Sequence, residues 1–352
     1  MKKCLLSVVL SLIILGSYIA PLQEGGYVRA EASECEALLP GREVFSAAMG
    51  SGQMRAVPKR MITRTKSKAK RAASPSDPLD DFWEQCSGRY FYSRLSEKQK
   101  AYYHQLDGVS RAYLNGRGEV EEYEGYYYME DVCCRGLSVG QMFDVTWIFL
   151  YENPQYFFLD GGLGYDLSSS DREKRVFVAL CVYKDYARPK KVLADRDAIR
   201  GKIEQYLKGA KKYTSNLGKE LYFHDRIAKD TEYKENAYDQ SIASVFLHGE
   251  SVCMGYSGAF SILMNLSGMK TMVVTSKTHA WNQVLQNGRW YLVDVTWDDD
   301  DKTGVVHDYF NISSKAAKAL DHTAKFHVPE ETFVAFGAPV CTAGEKNKKE
   351  ET

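Results

Sequence analysis

Residues 249–297, GESVCMGYSGAFSILMNLSGMKTMVVTSKTHAWNQVLQNGRWYLVDVTW, constrain the fold more than any other stretch of the chain. Behind Cys253, the apolar residues Tyr256, Ala259, Phe260, Leu263, Met264 and Leu266 recur at helical spacing. Gly268 supplies a left-handed stop for that helix. Cys253 therefore falls at or near a helix N-terminus, where unpaired N–H groups and the macrodipole favour a thiolate. The same N–H groups can receive the oxyanion of a tetrahedral intermediate. A buried structural cysteine is the plain alternative. The Gly-Glu-Ser-Val-Cys-Met-Gly approach argues against it, since two glycines leave backbone room for a substrate.

A β-prone run follows at 271–275, then two more at 280–285 and 290–295. Between the last two stands Asn287-Gly288, a strong signal for a two-residue type I′ hairpin. With that loop, Gln286 pairs with Arg289, Trp281 faces Asp294, and His279 faces Thr296. His279, at the start of one strand, and Asp294, on the next, are then diagonal neighbours on one face, roughly 7–8 Å apart at the backbone. A loop one residue longer would put them on opposite faces. The register thus lets Asp294 hold one imidazole nitrogen of His279 while the other addresses Cys253, as in acyl-transfer enzymes.

The segments GESVCMGYSGAFSILMNLSGM, THAWNQV, GRWYLVDVTWDD and DYFNIS, with LYFHDRIAKDTEY upstream, resemble the transglutaminase-like superfamily, in its bacterial branch related to papain-fold thiol enzymes. The resemblance covers about 221–326. It implies Cys253 as nucleophile, His279 as base and Asp294 as orienting carboxylate. The fold it implies is α+β, a papain/transglutaminase-like core in which the cysteine helix packs on an antiparallel sheet carrying the histidine and aspartate. Similar domains hydrolyse amides or transfer acyl groups to amines, and the resemblance does not choose between them. Trp281 and Trp297 flank the base and are expected to wall the cleft, with Tyr256 and His248 as further cleft residues; each also fits a core or rim role.

Outside this stretch the chain divides by composition. Residues 1–32 read as a secretory signal peptide: Lys2 and Lys3, an apolar run over 5–20, and the small-x-small site Ala30-Glu31-Ala32. An uncleaved anchor is the alternative. Residues 33–78 form a basic linker or pro-segment, whose stretch 53–74 carries eight Lys/Arg and no acid. Residues 79–194 make an α+β accessory region. Helices are expected at 95–106, where Ser96 and Gln99 form a capping box, and at 137–151; strands are expected at 156–159 and 176–183. Two further helices are expected over 195–217 and 221–233, opening a catalytic domain of 195–336, and a polar tail follows at 337–352. The expected setting is secreted or cell-surface, with a protein or peptide substrate there.

Lys+Arg and Asp+Glu are equal at 46 each, so global charge does not point to nucleic acid. After signal removal no run is long enough for a membrane span. No Walker loop or dinucleotide fingerprint occurs, and the thiol mechanism needs no cofactor. Seven cysteines remain after signal removal: Cys35, Cys86, Cys133, Cys134, Cys181, Cys253 and Cys341. In an exported protein an odd count leaves at least one outside any bridge, for which Cys253 is the natural choice. The others form up to three bridges or stay reduced. No metal is expected. The acidic run 298–301 lacks the spacing of a calcium loop and reads as solvated. His307, His322 and His327 lack metal-ligand spacing with any cysteine. His224 and Asp225, adjacent on a helix, should not face one another, which leaves His224 a structural role.

Overall fold

The computed structural model describes residues 55–56, 79–123, 125–166, 175–300, 303–321 and 326–342. The signal-peptide reading and nearly all of the basic segment lie outside these residues. No helix among them is long and apolar enough to cross a membrane.

Serine caps set the first helices. Ser96 and Gln99 close a capping box on α1 (Glu97–Leu114), and Ser138 and Gln141 close another on α2 (Val139–Glu152). Helix α1 runs well past the expected residue 106, because Val109, Ala112, Tyr113 and Leu114 continue its buried face. Residues 156–158 are a turn, not the expected strand: Tyr156 N donates to Asn153 O (3.0 Å) and Leu159 N to Tyr156 O (3.0 Å). Helix α3 (Pro189–Ala210) begins earlier than expected, with Pro189 in its first turn. It also ends earlier, because Ser215 accepts from Gly218 N and takes 216 and 217 into α4 (Asn216–Asp230).

The first half builds a sheet of β1 (Glu121–Tyr123), β2 (Tyr126–Tyr128), β3 (Val132–Arg135), β4 (Leu159–Asp166) and β5 (Arg175–Val182). Strand β5, buried along most of its length, is the hub. It pairs antiparallel with β4 on one side and with β2 and then β3 on the other. Arg55–Ala56 adds a short parallel strand to β4.

The second half is built on α5 (Cys253–Leu266), which packs against both α4 and a three-stranded antiparallel sheet. That sheet runs β8 (Arg289–Val293), β7 (Ala280–Gln286), β6 (Thr271–Thr275). Helix α5 ends in a Schellman motif: Met269 N donates to Met264 O, Gly268 N to Asn265 O, and Gly268 has φ +75°. The hairpin takes the expected register, Gln286 opposite Arg289 and Asn282 opposite Val293. Asn287 (φ 49°) and Gly288 (φ 77°) both adopt the positive φ that a type I′ turn demands. The chain is thus mixed α+β with antiparallel sheets. The halves interlock: Asn265 Nδ2 donates to Cys86 O (3.0 Å), Ser241 Oγ to Phe157 O (2.6 Å), and Tyr90 packs edge-on to Trp290.

Candidate active site

Cys253 is the first residue of α5, and no side chain caps that helix start. The approach is rigid. Val252 N and Ser251 Oγ both donate to Asp239 O, and Ser244 Oγ lies 2.5 Å from Ser251 Oγ. Contrary to the expectation that two glycines leave room here for a substrate, the chain itself uses that room. A Cβ on Gly255 would sit 2.9 Å from Ser241 O and 3.1 Å from Asp239 O, and one on Gly249 (φ +67°) 3.1 Å from Asp230 O. The first turn is then tied to the sheet: Ser257 Oγ donates to Cys253 O (2.8 Å), and Asn282 Nδ2 of β7 to Ser257 O (3.0 Å). The first turn of α5 is thus held to β7 at Asn282, three residues along from His279.

His279 and Asp294 come together, though from positions just outside their strands. His279 precedes β7, and Asp294 follows β8 because its N–H turns away to Tyr309 O (3.1 Å). His279 Nε2 donates to Asp294 Oδ2 at 2.5 Å, with both side chains 1% exposed. Oδ1 of Asp294 accepts from Thr296 N (2.9 Å) and Trp297 N (3.2 Å). His279 Nδ1 is buried and has no hydrogen-bond partner among the described residues.

A residue that spacing did not select completes the cluster. His327 Nε2 donates to the same Asp294 Oδ2 (2.9 Å), and its Nδ1 to Asp321 Oδ1 (2.7 Å). With a carboxylate on each nitrogen the ring is an imidazolium. Burial opposes that charge, but Asp294 and Asp321 outweigh it and push the His327 pKa up to about 9. Burial likewise works to raise the Asp294 carboxyl, and His279 and His327 together hold it well below the usual range. In sequence His327 was visible only as a histidine without metal-ligand spacing; no periodicity brings residue 327 to residue 294.

The expected cleft residues fall in different places. Trp281 is fully buried and stacks on His279 (6.2 Å, 18°). Trp297 is half-buried and touches His279 (5.7 Å), His327 (5.3 Å) and Tyr309 (5.1 Å). Both indole N–H groups are buried without a partner among the described residues. Tyr256 is wholly inside, its one hydroxyl proton shared between Thr231 O and Asp299 Oδ2, each 2.8 Å away; it buttresses the cysteine helix. His248 stacks on Tyr238 (5.6 Å, 14°) in the segment leading to the cysteine turn.

Two further readings are corrected. The acidic run is not wholly solvated: Asp298 is 0% exposed, accepting from His224 Nε2 (3.1 Å) and Tyr309 N (2.9 Å). His224 and Asp225 do meet, Nδ1 to Oδ1 at 3.2 Å. No disulfide joins Cys86, Cys133, Cys134, Cys181, Cys253 or Cys341.

The sequence profile of the Transglutaminase-like superfamily matches residues 203–295. No curated protein sequence matches the chain. Among solved structures, a crystal structure of a TGase is similar at 19% identity and TM-score 0.28, over 42% of this chain and 48% of that one. The chain thus spans about half the length of that protein. The periplasmic domain of TgpA from Pseudomonas aeruginosa is similar at 12% identity and TM-score 0.25, over 51% of this chain and 72% of that one.

Proposed function

We propose, for a chain whose residues 203–295 match the Transglutaminase-like superfamily, a thiol acyl-transfer enzyme with a papain-like arrangement of Cys253, His279 and Asp294. The observation that carries this reading is His279. Its Nε2 is committed to Asp294, while its buried Nδ1 has no partner among the described residues. A buried acceptor left without a partner is costly in a merely structural histidine. In a base it is the atom that takes the thiol proton.

The mechanism follows from these groups. His279 Nδ1 removes the Cys253 proton, and the uncapped N–H groups at the start of α5 favour the thiolate. Sulfur attacks an amide carbonyl, and the oxyanion is received at the same helix start. His279 returns the proton to the departing amine as the C–N bond breaks, leaving a thioester. Water then releases a carboxylic acid; an amine in its place forms a new amide. Asp294 holds the imidazole in the required tautomer and stabilises its cation. We favour peptide or glutamine amides as substrates and water as acceptor. We also take the protein as exported, on the strength of residues 1–32, with substrates outside the cytoplasm.

The test is to incubate the protein with a peptide library and a labelled primary amine, and to read products by mass spectrometry. Cleaved or deamidated peptides support hydrolysis, whereas amine-linked ones would support transfer. Cys253→Ala is expected to abolish both, along with fast alkylation by iodoacetamide. A wild-type Cys253 that alkylates no faster than free cysteine would sink the reading, leaving a binding module that keeps the fold.

A further inference from the structure

Behind the candidate active site lies a second cluster that the mechanism does not use. His224 Nδ1 and His307 Nε2 both lie against Asp225 Oδ1, at 3.2 and 2.8 Å. The two imidazole rings are 5.3 Å apart. His224 comes from α4, and His307 from the loop after the small Asp299–Asp300/Gly304–Val305 ribbon. Sequence gave no sign of the pairing, because no short spacing links residues 224 and 307; the fold alone joins them.

We infer that His224, Asp225 and His307 bind a divalent first-row transition-metal ion of the zinc type, through two imidazole nitrogens and one carboxylate oxygen. The donor set is that of nitrogen- and oxygen-ligated zinc, with a fourth position left to water. The three ligand atoms lie within 4.8 Å of one another. A tetrahedral ion at ordinary zinc bond lengths separates its ligands by roughly 3.3 Å, so the His224 contact fits as it stands and the His307 contact must open slightly.

The second observation is behind the ligands. His224 is 0% exposed, and its other nitrogen, Nε2, donates to Asp298 Oδ2, itself 0% exposed. A buried carboxylate on the far nitrogen fixes the tautomer and turns the Nδ1 lone pair toward the site, an arrangement metal-binding histidines share. With Nε2 donating to Asp298, Nδ1 meets Asp225 either through a proton, as in the His327 imidazolium, or through a metal ion that takes the proton's place. Access comes from the His307 side, whose side chain is 45% exposed. The His279–Asp294–His327 cluster has similar atoms but is sealed, with all three side chains about 1% exposed or less.

An ion here would pin α4 to the loop that carries His307, which the Val306 N–H ties to Asp298 O (2.8 Å). Asp298 N donates to Asp294 O (3.2 Å), and Asp298 Oδ1 accepts from Tyr309 N. The ion would thus brace the backbone on which Asp294 stands, while touching none of the groups proposed for catalysis.

The test uses full-length protein, its cysteines alkylated and its metals removed by chelation, titrated with Co2+ followed by visible absorption and with Zn2+ followed by thermal unfolding. One equivalent of Co2+ should give the strong visible bands of a tetrahedral site, and Zn2+ should raise Tm. His307→Ala should weaken Co2+ binding by at least about tenfold and remove the Zn2+ effect on Tm, with its circular dichroism unchanged. Asp225→Asn, also surface-accessible, should do the same. His327→Gln should bind as wild type does. Absent bands and an unmoved Tm in the wild type would overturn the assignment and leave His224 a doubly bonded imidazolium. Loss of binding in His327→Gln but not in His307→Ala would overturn it too, moving the ion to the other cluster.

Discussion

Asp294 receives four hydrogen bonds, two from backbone N–H groups and two from imidazoles, so neither carboxylate oxygen is idle. His327 is the partner that distinguishes this arrangement from a three-residue relay. Among the described residues its hydrogen bonds go to Asp294 and Asp321 alone, so it acts on the cluster through Asp294 as a positioning residue. Replacing it with Gln removes one charge from a buried ion pair and should cost about 3 kcal/mol, read from urea unfolding. A purely structural loss would leave the shape of the pH dependence alone. Here it should change. A histidine whose pKa is raised in the fold contributes stability that is complete below 6.5 and lost as pH rises through about 9. His327→Gln should flatten that alkaline decline. An unchanged slope between pH 6.5 and 9 would show that the cation is not on His327.

At the scale of elements, the hairpin and the cysteine turn answer substitution differently. Gly288 lies in open space at φ +77°, so Gly288→Ala strains only the turn and should cost about 1 kcal/mol without slowing Cys253 alkylation. Gly255→Ala places a methyl against two backbone carbonyls, which cannot swing aside as a side chain can. It should cost about 1–3 kcal/mol and slow alkylation by displacing the helix start; equal alkylation rates in the two variants would refute this role. The contrast marks what sequence conveys. Helix spacing behind Cys253 and the Asn287-Gly288 turn are local signals, and they were enough to bring His279 and Asp294 to the same place. His327, Asp298 and the His224–His307 pair were not legible, because each is joined by packing between segments far apart in the chain. The ends of α3 and α4 slipped for a related reason: Ser215 competes for residues that periodicity alone assigns to the preceding helix.

Across the whole molecule, burial raises three carboxyls, Glu152, Glu220 and Glu330, to about 7 each. Each keeps its proton in the fold at pH values where the unfolded chain, near 4.5, has released it. Their contribution is therefore complete below about 4.5 and lost as pH rises through 7. Asp294 works in the opposite sense, its share being lost only below 3.8. The urea midpoint should be higher at pH 5 than at pH 7.5, and Glu152→Gln should narrow the gap. A midpoint that climbs from pH 5 to 7.5 would contradict this account. Glu152 accepts from Phe91 N and Tyr92 N, so this titration also reaches the contact between α2 and the segment before α1.

The ring that clamps Asp294 lies 33 residues beyond it in the chain. A polypeptide leaving the ribosome N-terminus first presents its sulfur, imidazole and carboxylate well before that clamp emerges. Full alignment of Asp294 thus waits for the last of its four hydrogen-bond donors to emerge, so this cluster is completed late in synthesis.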